Sequence, residues 1–200
     1  MLINNFSGKI LEAGCDEAGR GCLAGPVVAA AVILSLDSNI EGLDDSKKMT
    51  CNQRKSIIDE IKKNAVAYAI ASIDNTIIDK INILNASILA MHKALDLLSQ
   101  KPEYIIIDGN KFKNYNDIPY ETIIKGDAKF QSIAAASVLA KVYRDEYMIN
   151  LHNEYPNYNW DKNKGYPTLK HKLAIQKFGT TKYHRLTFSS SIQLKLNFIK

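Results

Sequence analysis

Cysteine is scarce in this 200-residue chain: Cys15, Cys22 and Cys51 are odd in number and form no C-x-x-C pair. That excludes a disulfide scaffold and a structural zinc site of the usual spacing, and it suits a reducing compartment such as the cytoplasm. Long apolar runs are missing too. The longest, Val27 to Leu36, spans about ten residues, whereas a membrane-crossing helix needs about 18. The N-terminus, MLINNFSGKI, has no basic segment leading into an apolar stretch, so no secretory signal is expected. No internal repeat, low-complexity tract or Pro/Gly/Ser linker precedes Tyr155. What remains, 46% hydrophobic and 24% charged, is the composition of one globular domain with a real core.

Negative charge is absent from one region. From Lys162 to the C-terminus there are nine Lys and Arg (162, 164, 170, 172, 177, 182, 185, 195 and 200) and no Asp or Glu. Residues 1–161 therefore hold 17 of the 26 basic groups and all 21 acidic ones, a net of −4 within a total of +5. A mildly acidic body with a basic end points either to a polyanionic partner or to a solvated basic face. Tyr166, Phe178, Tyr183 and Phe188 interleave with these cations. Aromatic rings in such company can stack on bases or sugars while the cations hold phosphates. Gly165 and Pro167 bracket Tyr166 in a turn, which makes its ring the most exposed of the four.

The hydrophobic pattern predicts strands at 9–13 and 25–36 around a glycine-rich turn, Gly14 to Gly21, and a further strand at 65–72. A helix over 51–63 is expected, with Thr50 as N-cap. Ile77, Ile81, Leu84, Ile88, Met91, Leu95 and Leu98 recur at helical steps, with Thr76 and Asp79 as a capping box. The stripe is too short for a coiled coil and reads as a helix packed on a sheet. Strands follow at Tyr104–Ile107 and 121–125, then a second long helix at 130–151, whose Ala134-Ala-Ala-Ser137 stretch is small enough for close approach. Strands alternating with helices imply an α/β fold with a mixed sheet flanked by helices. Residues 1–155 read as the core and 156–200 as a small helical and loop appendage, one compact unit with it.

The glycine-rich turn imitates two phosphate motifs and matches neither. Gly14-x-x-x-x-Gly19 has P-loop spacing, but Arg20-Gly21 stand where Lys-Ser/Thr are needed. Gly19-x-Gly21 hints at a dinucleotide loop, but a strand follows where a helix is required. Asp16 and Glu17 would also repel a phosphate unless a cation lay between. Asp16, Asp108 and Asp127 each stand at or just beyond a predicted strand end, where α/β sheets gather their sites. Clustered carboxylates are relieved by a divalent cation, and oxygen-only ligands favour Mg²⁺ or Mn²⁺ over zinc. Cys15 reads as a small buried residue. The four histidines lack metal spacing, and His92 reads as solvated.

These segments together resemble the ribonuclease HII family. The motifs are AGCDEAGRGCLAGPVVAAAVIL (13–34), LDDSKKM (43–49), NILNASILAMHKAL (82–95), IIDGN (106–110), KGD (125–127), SIAAASVLAKVYRDEYM (132–148), YPNY (155–158), GYPT (165–168) and HRLTF (184–188). DEAGRG followed by LAGPVV is highly specific, and the series covers roughly residues 9 to 190 in order.

The resemblance implies a ribonuclease H-like fold. It also implies an endonuclease that cuts the RNA strand of RNA–DNA hybrids, and duplex DNA at embedded ribonucleotides, leaving 5′-phosphate and 3′-hydroxyl ends. Asp16, Glu17, Asp108 and Asp127 are then the catalytic and metal-binding carboxylates, with Mn²⁺ or Mg²⁺ as cofactor. Gly19, Arg20 and Gly21 form the loop that senses the ribose 2′-OH through its backbone, and Tyr166 packs at the RNA–DNA junction. Asp145 is implied to be structural. The expected setting is a cytoplasmic monomer with no membrane partner. Cys22 departs from the family, which more often has Pro there, and is expected to loosen the turn. The related ribonuclease HIII carries an extra N-terminal substrate-binding domain, for which no room is expected before residue 14. Two other classes stay open on the residues alone. A non-catalytic nucleic-acid binder needs the basic end but not four strand-end carboxylates. Another metal nuclease of the same broad fold keeps the acids but not GRG and GYPT together.

Overall fold

A computed structural model describes residues 2–43 and 49–188. Most of the LDDSKKM motif (residues 44–48) and the basic residues Lys195 and Lys200 lie outside the described residues. Five strands form one mixed sheet in the order β3-β2-β1-β4-β5. They are β1 (Glu12–Ala18), β2 (Val27–Leu34), β3 (Ala65–Ile73), β4 (Tyr104–Asp108) and β5 (Tyr120–Ile123). β1, β2 and β3 pair antiparallel, while β1–β4 and β4–β5 are parallel. The helices are α1 (Cys51–Asn64), α2 (Asn75–Asp96), α3 (Gln131–Glu154), α4 (Trp160–Asn163) and α5 (Leu169–Phe178).

β2 is buried along its whole length, and its alternation divides the core in two. Val27, Ala29, Ala31 and Ile33 pack with α2, while Val28, Ala30, Val32 and Leu34 pack with α1 and α3. The small residues Ala134, Ala135 and Ala136 let α3 lie against the sheet. At Gly14 the approach is closest: a Cβ there would fall 2.4 Å from the Ser132 carbonyl carbon. A separate aromatic cluster, built on Tyr158 and Trp160, joins the C-terminal elements to Met148 and Leu151 of α3.

Three sequence expectations need correction. The first strand does not stop at Ala13; it continues through Gly14–Ala18, paired with β2 as far as Ala18↔Val28. Asp16 and Glu17 are therefore strand residues, and the turn starts only at Gly19. The cap of α2 is Asp74, which accepts from Ile77 N–H at 2.9 Å. Asp79 instead accepts from the Leu186 and Thr187 amides. α2 is also kinked at Asn82 (φ 65°), which rotates its apolar face, so Ile78 rather than Ile77 is fully buried before the kink. Lastly, His92 is half-buried, packed edge-on to Phe112, with Nε2 3.2 Å from the Lys113 carbonyl oxygen. Thr50 caps α1 as expected, with a capping box through Gln53. Cys15 is fully buried.

Candidate active site

β1 and β4 run parallel, with Cys15 opposite Ile107, so the next residues, Asp16 and Asp108, emerge side by side at the strand ends. Gly126 N–H donates to Asp108 Oδ1 at 2.8 Å. This bond links the strand end to the 3₁₀ turn Gly126–Ala128, which carries the buried Asp127. Carboxylate oxygens of Asp16, Asp108 and Asp127 all lie within 4.8 Å of one another. The set offers only oxygen, is largely buried and gathers three potential negative charges, which suits a hard divalent cation. Without a cation the repulsion is severe. Burial, then the charges of Glu17 and Asp108, push the Asp16 carboxyl well above the usual range, and a hydrogen bond from Ser137 only partly offsets this.

Glu17 does not join the trio. Neighbouring strand residues point to opposite faces, so Asp16 faces α3 and Glu17 faces α2. Glu17 pairs with Arg20 at 3.0 Å and meets Leu84, Ser87 and Met91 of α2 in a small crevice that also touches Asp108.

Beside the trio lies a cleft of about 250 Å³ lined by Asp16, Glu17, Gly19, Arg20, Gly21, Asp108, Ser137, Lys141 and Tyr166. Seven of the eight residues singled out in the sequence thus share one cleft, and Asp127 adjoins it through the trio. Gly19 has φ +96°, and any Cβ there would strike Arg144 Nε at 2.0 Å, so glycine is required on both counts. Among the described residues, the Arg20 and Gly21 amides meet no acceptor. The carbonyl side of the loop is held from behind. Arg185 Nη1 donates to Arg20 O at 2.9 Å and its Nε to Gly25 O at 3.0 Å. Arg144 reaches the carbonyls of Ala24, Pro26 and Lys164. Tyr166 is 41% exposed, but contrary to expectation it is not the most exposed of the four aromatics: Phe178, at the C-terminal end of α5, is 48% exposed. Cys22 is buried, and its N–H closes the turn onto Gly19 O at 3.4 Å, a bond proline could not make. The turn is therefore not loosened by this residue.

Sequence reasoning missed Ser137, Lys141, Arg144 and Arg185 as parts of this site. Ser137 and Lys141 lie one helical turn apart on α3, a spacing that could have flagged them once α3 was known to cross β1. Arg185 is one of the nine cations of the basic segment expected to face phosphates, but it is 0% exposed and can touch no phosphate. Lys182 is engaged by Glu154 at 3.1 Å. Asp145, expected to be structural, is bonded to Lys141 at 2.6 Å and lies 3.9 Å from Arg54 of α1.

The family model for ribonuclease HII matches residues 13–191. A curated ribonuclease HII of Bacteroides thetaiotaomicron is 57% identical over 200 residues, covering 99% of this chain and all of the relative. The chain belongs to the ribonuclease HII family. Another member, from Christiangramia forsetii, is 55% identical over 98% of the chain and all of its own length. Among solved structures, the ribonuclease H2 of Pyrococcus horikoshii matches with a TM-score of 0.75 at 25% identity, covering 93% of this chain and 98% of that one. Bst-RNase HIII, solved in complex with Mn²⁺, shares the fold with a TM-score of 0.71 at 20% identity, covering 94% of this chain and 70% of that one. The mixed sheet is accordingly a ribonuclease H-like fold, and the chain is a ribonuclease H, an endonuclease and hydrolase. No described helix is long and apolar enough to cross a membrane.

Proposed function

We propose that this ribonuclease H cuts the RNA strand of RNA–DNA hybrids, and duplex DNA at embedded ribonucleotides, leaving 5′-phosphate and 3′-hydroxyl ends. Asp16, Asp108 and Asp127 hold Mg²⁺ or Mn²⁺, and Glu17 completes the acidic site from the opposite face of the sheet. When bound, one or two such ions supply the positive charge that activates water and stabilises the leaving 3′-oxygen. The chain supplies the rest. Gly126 N–H and Ser137 orient the carboxylates. The Arg20 and Gly21 amides donate to the ribose 2′-OH, the group that separates RNA from DNA; Arg185 orients the Gly21 amide by holding the Arg20 carbonyl of the same peptide unit. The Tyr166 ring stacks on the sugar beside the ribonucleotide. Lys141 and the outward lysines of α5 carry phosphates, and residues from 156 onward grip the duplex as one unit with the core.

The observation that carries this reading is the meeting of the aspartate trio with the Gly19–Gly21 loop and Tyr166 at one cleft. The test is a DNA duplex with one ribonucleotide, incubated with the protein and Mn²⁺. Cutting beside the ribonucleotide is expected, with none in EDTA and none by Asp108→Asn. Full activity in EDTA or in that variant would sink the metal-site reading.

A further inference from the structure

Tyr166 is held at its hydroxyl, which is hydrogen-bonded with Cys22, and along its backbone. The residue is 41% exposed, with Lys141 Nζ 5.8 Å above the ring. The main chain is tied at both ends: Tyr166 N–H donates to Asn163 O at 2.8 Å, and Tyr166 O accepts from Thr168 N–H at 2.8 Å. A third bond comes from outside the loop. His171 Nδ1 lies 2.9 Å from Tyr166 O.

The direction of that bond depends on where the His171 proton sits, and the surroundings decide it. Thr181 N–H donates to His184 Nδ1 at 2.8 Å, so neutral His184 carries its proton on Nε2. His184 Nε2 is 3.3 Å from His171 Nε2, and Trp160 Nε1–H approaches the same atom at 3.0 Å. His171 Nε2 therefore accepts, and the His171 proton is left on Nδ1, aimed at the Tyr166 carbonyl. This pair of neutral tautomers fits the contacts, with the single lone pair of His171 Nε2 shared between Trp160 Nε1–H at 3.0 Å and the longer His184 Nε2–H. Both imidazoles and the indole are buried, so no water can substitute for a missing partner.

We infer that His171 is a positioning residue for Tyr166: its Nδ1–H fixes the backbone from which the tyrosine ring reaches the substrate, and Trp160 and His184 enforce the tautomer that makes this possible. The inference rests on the proposed reading of Tyr166 as the residue that stacks at the junction. It adds two histidines and a tryptophan that never touch the cleft to the apparatus that selects substrate.

The test compares cleavage of a single-ribonucleotide duplex with that of a continuous hybrid, as the ratio of kcat/KM values, for the intact protein, Tyr166→Ala, His171→Phe and His171→Asn. Phe fills the ring space without a donor, and Asn returns an N–H near the Nδ1 position. The ratio should fall about three- to tenfold in His171→Phe, the worth of one buried hydrogen bond, and stay within about twofold of wild type in His171→Asn. An altered ratio in Tyr166→Ala with an unaltered one in His171→Phe would overturn the positioning role and leave the Tyr166 reading standing. An unaltered ratio in Tyr166→Ala would overturn both. Equal losses on both substrates in His171→Phe, not restored by Asn, would reduce His171 to a structural residue. Should His171→Phe fail to fold, nitrogen NMR on the intact protein decides independently. A proton on His171 Nδ1 and on His184 Nε2 is expected, and a proton on His171 Nε2 would overturn the relay.

Discussion

The two sides of the cleft are built on different principles. The acidic side stands on regular sheet structure. Parallel register brings Asp16 and Asp108 together, and a single backbone hydrogen bond from Gly126 adds the turn bearing Asp127. The side proposed to recognise substrate has no regular structure to lean on. Leu23 N–H reaches Gly165 O, Gly25 N–H reaches Tyr183 O, and Arg185 N–H reaches Leu23 O. Residues 22–25 are thus threaded between two C-terminal segments, and buried Arg144, Arg185, His171 and His184 complete the ties. Ladder hydrogen bonds make the first side regular and robust, although they join strands about 90 positions apart. The second depends on residues more than 140 positions apart in sequence, so damage to the C-terminal elements reaches Gly19–Gly21 without touching the aspartates.

Breaking the acidic side should have the largest effect on activity and none on the other wall. Asp16→Asn or Asp108→Asn is expected to lower cleavage more than about a hundredfold, with circular dichroism unchanged. Cation-free Asp16→Asn should also melt higher than the parent. The Asp16 pKa is raised in the folded state, so folding is penalised once pH exceeds the ordinary carboxylate value, and the penalty vanishes below it. The gain in melting temperature should accordingly be present at neutral pH and disappear near pH 4. A gain that persists in acid would show that charge is not its origin.

Breaking the recognition side should cost stability first. Arg185→Met leaves the Arg20 and Gly25 carbonyls unpaired and should destabilise by about 2–3 kcal/mol in urea unfolding. Lys177→Met, from the same basic segment but exposed, should change stability by less than about 0.5 kcal/mol. Equal effects would erase the distinction between the buried and exposed cations. For the same reason, removing everything after Tyr158 should unfold the Gly19–Gly21 loop as well as weaken duplex binding.

Acid offers a milder probe of the same side. Burial, then neighbouring His171, push His184 down to about 4. The unfolded chain binds that proton first as pH falls, so stability present above about pH 6.5 is lost progressively down to about pH 4. The loss is on the order of 3 kcal/mol, readable as a falling urea midpoint. A midpoint constant between pH 6.5 and 4.5 would refute it. Tyr166→Ala should cut single-ribonucleotide cleavage about ten- to a hundredfold, equivalent to about 1–3 kcal/mol of lost stacking, with a smaller change on continuous hybrid and in melting temperature. The smallest effect belongs to single lysines. Duplex binding should show a log–log salt slope of about −3 to −5, and Lys170→Ala should make it shallower by about one. A slope near zero in the intact protein would leave the basic face without a partner.

Much of this molecule is legible in the sequence. Alternation and helical spacing locate four of the five strands, only the beginning of β1, and the three long helices, because those patterns are the imprint of a sheet buried between helices. Strand ends marked by Asp108-Gly109 and Lys125-Gly-Asp127 pointed to the acidic site, and the family motifs supplied the rest of its membership. The end of β1 is hidden in the sequence because Gly14 looks like a turn residue. It is glycine for α3 to pass, and only the packed structure reveals that neighbour.

The sequence by itself therefore determined which residues gather at the strand ends and which family the chain joins, since both are written in local pattern. The tertiary structure alone decided which face each residue serves. It sent Asp16 and Glu17 to opposite sides of the sheet, and it turned Arg185 from a surface cation into a buried tie. Hydrophobic burial sets which surfaces close on one another, and a side chain's role follows from what closes over it, which for Arg185 is a segment 160 and more residues away.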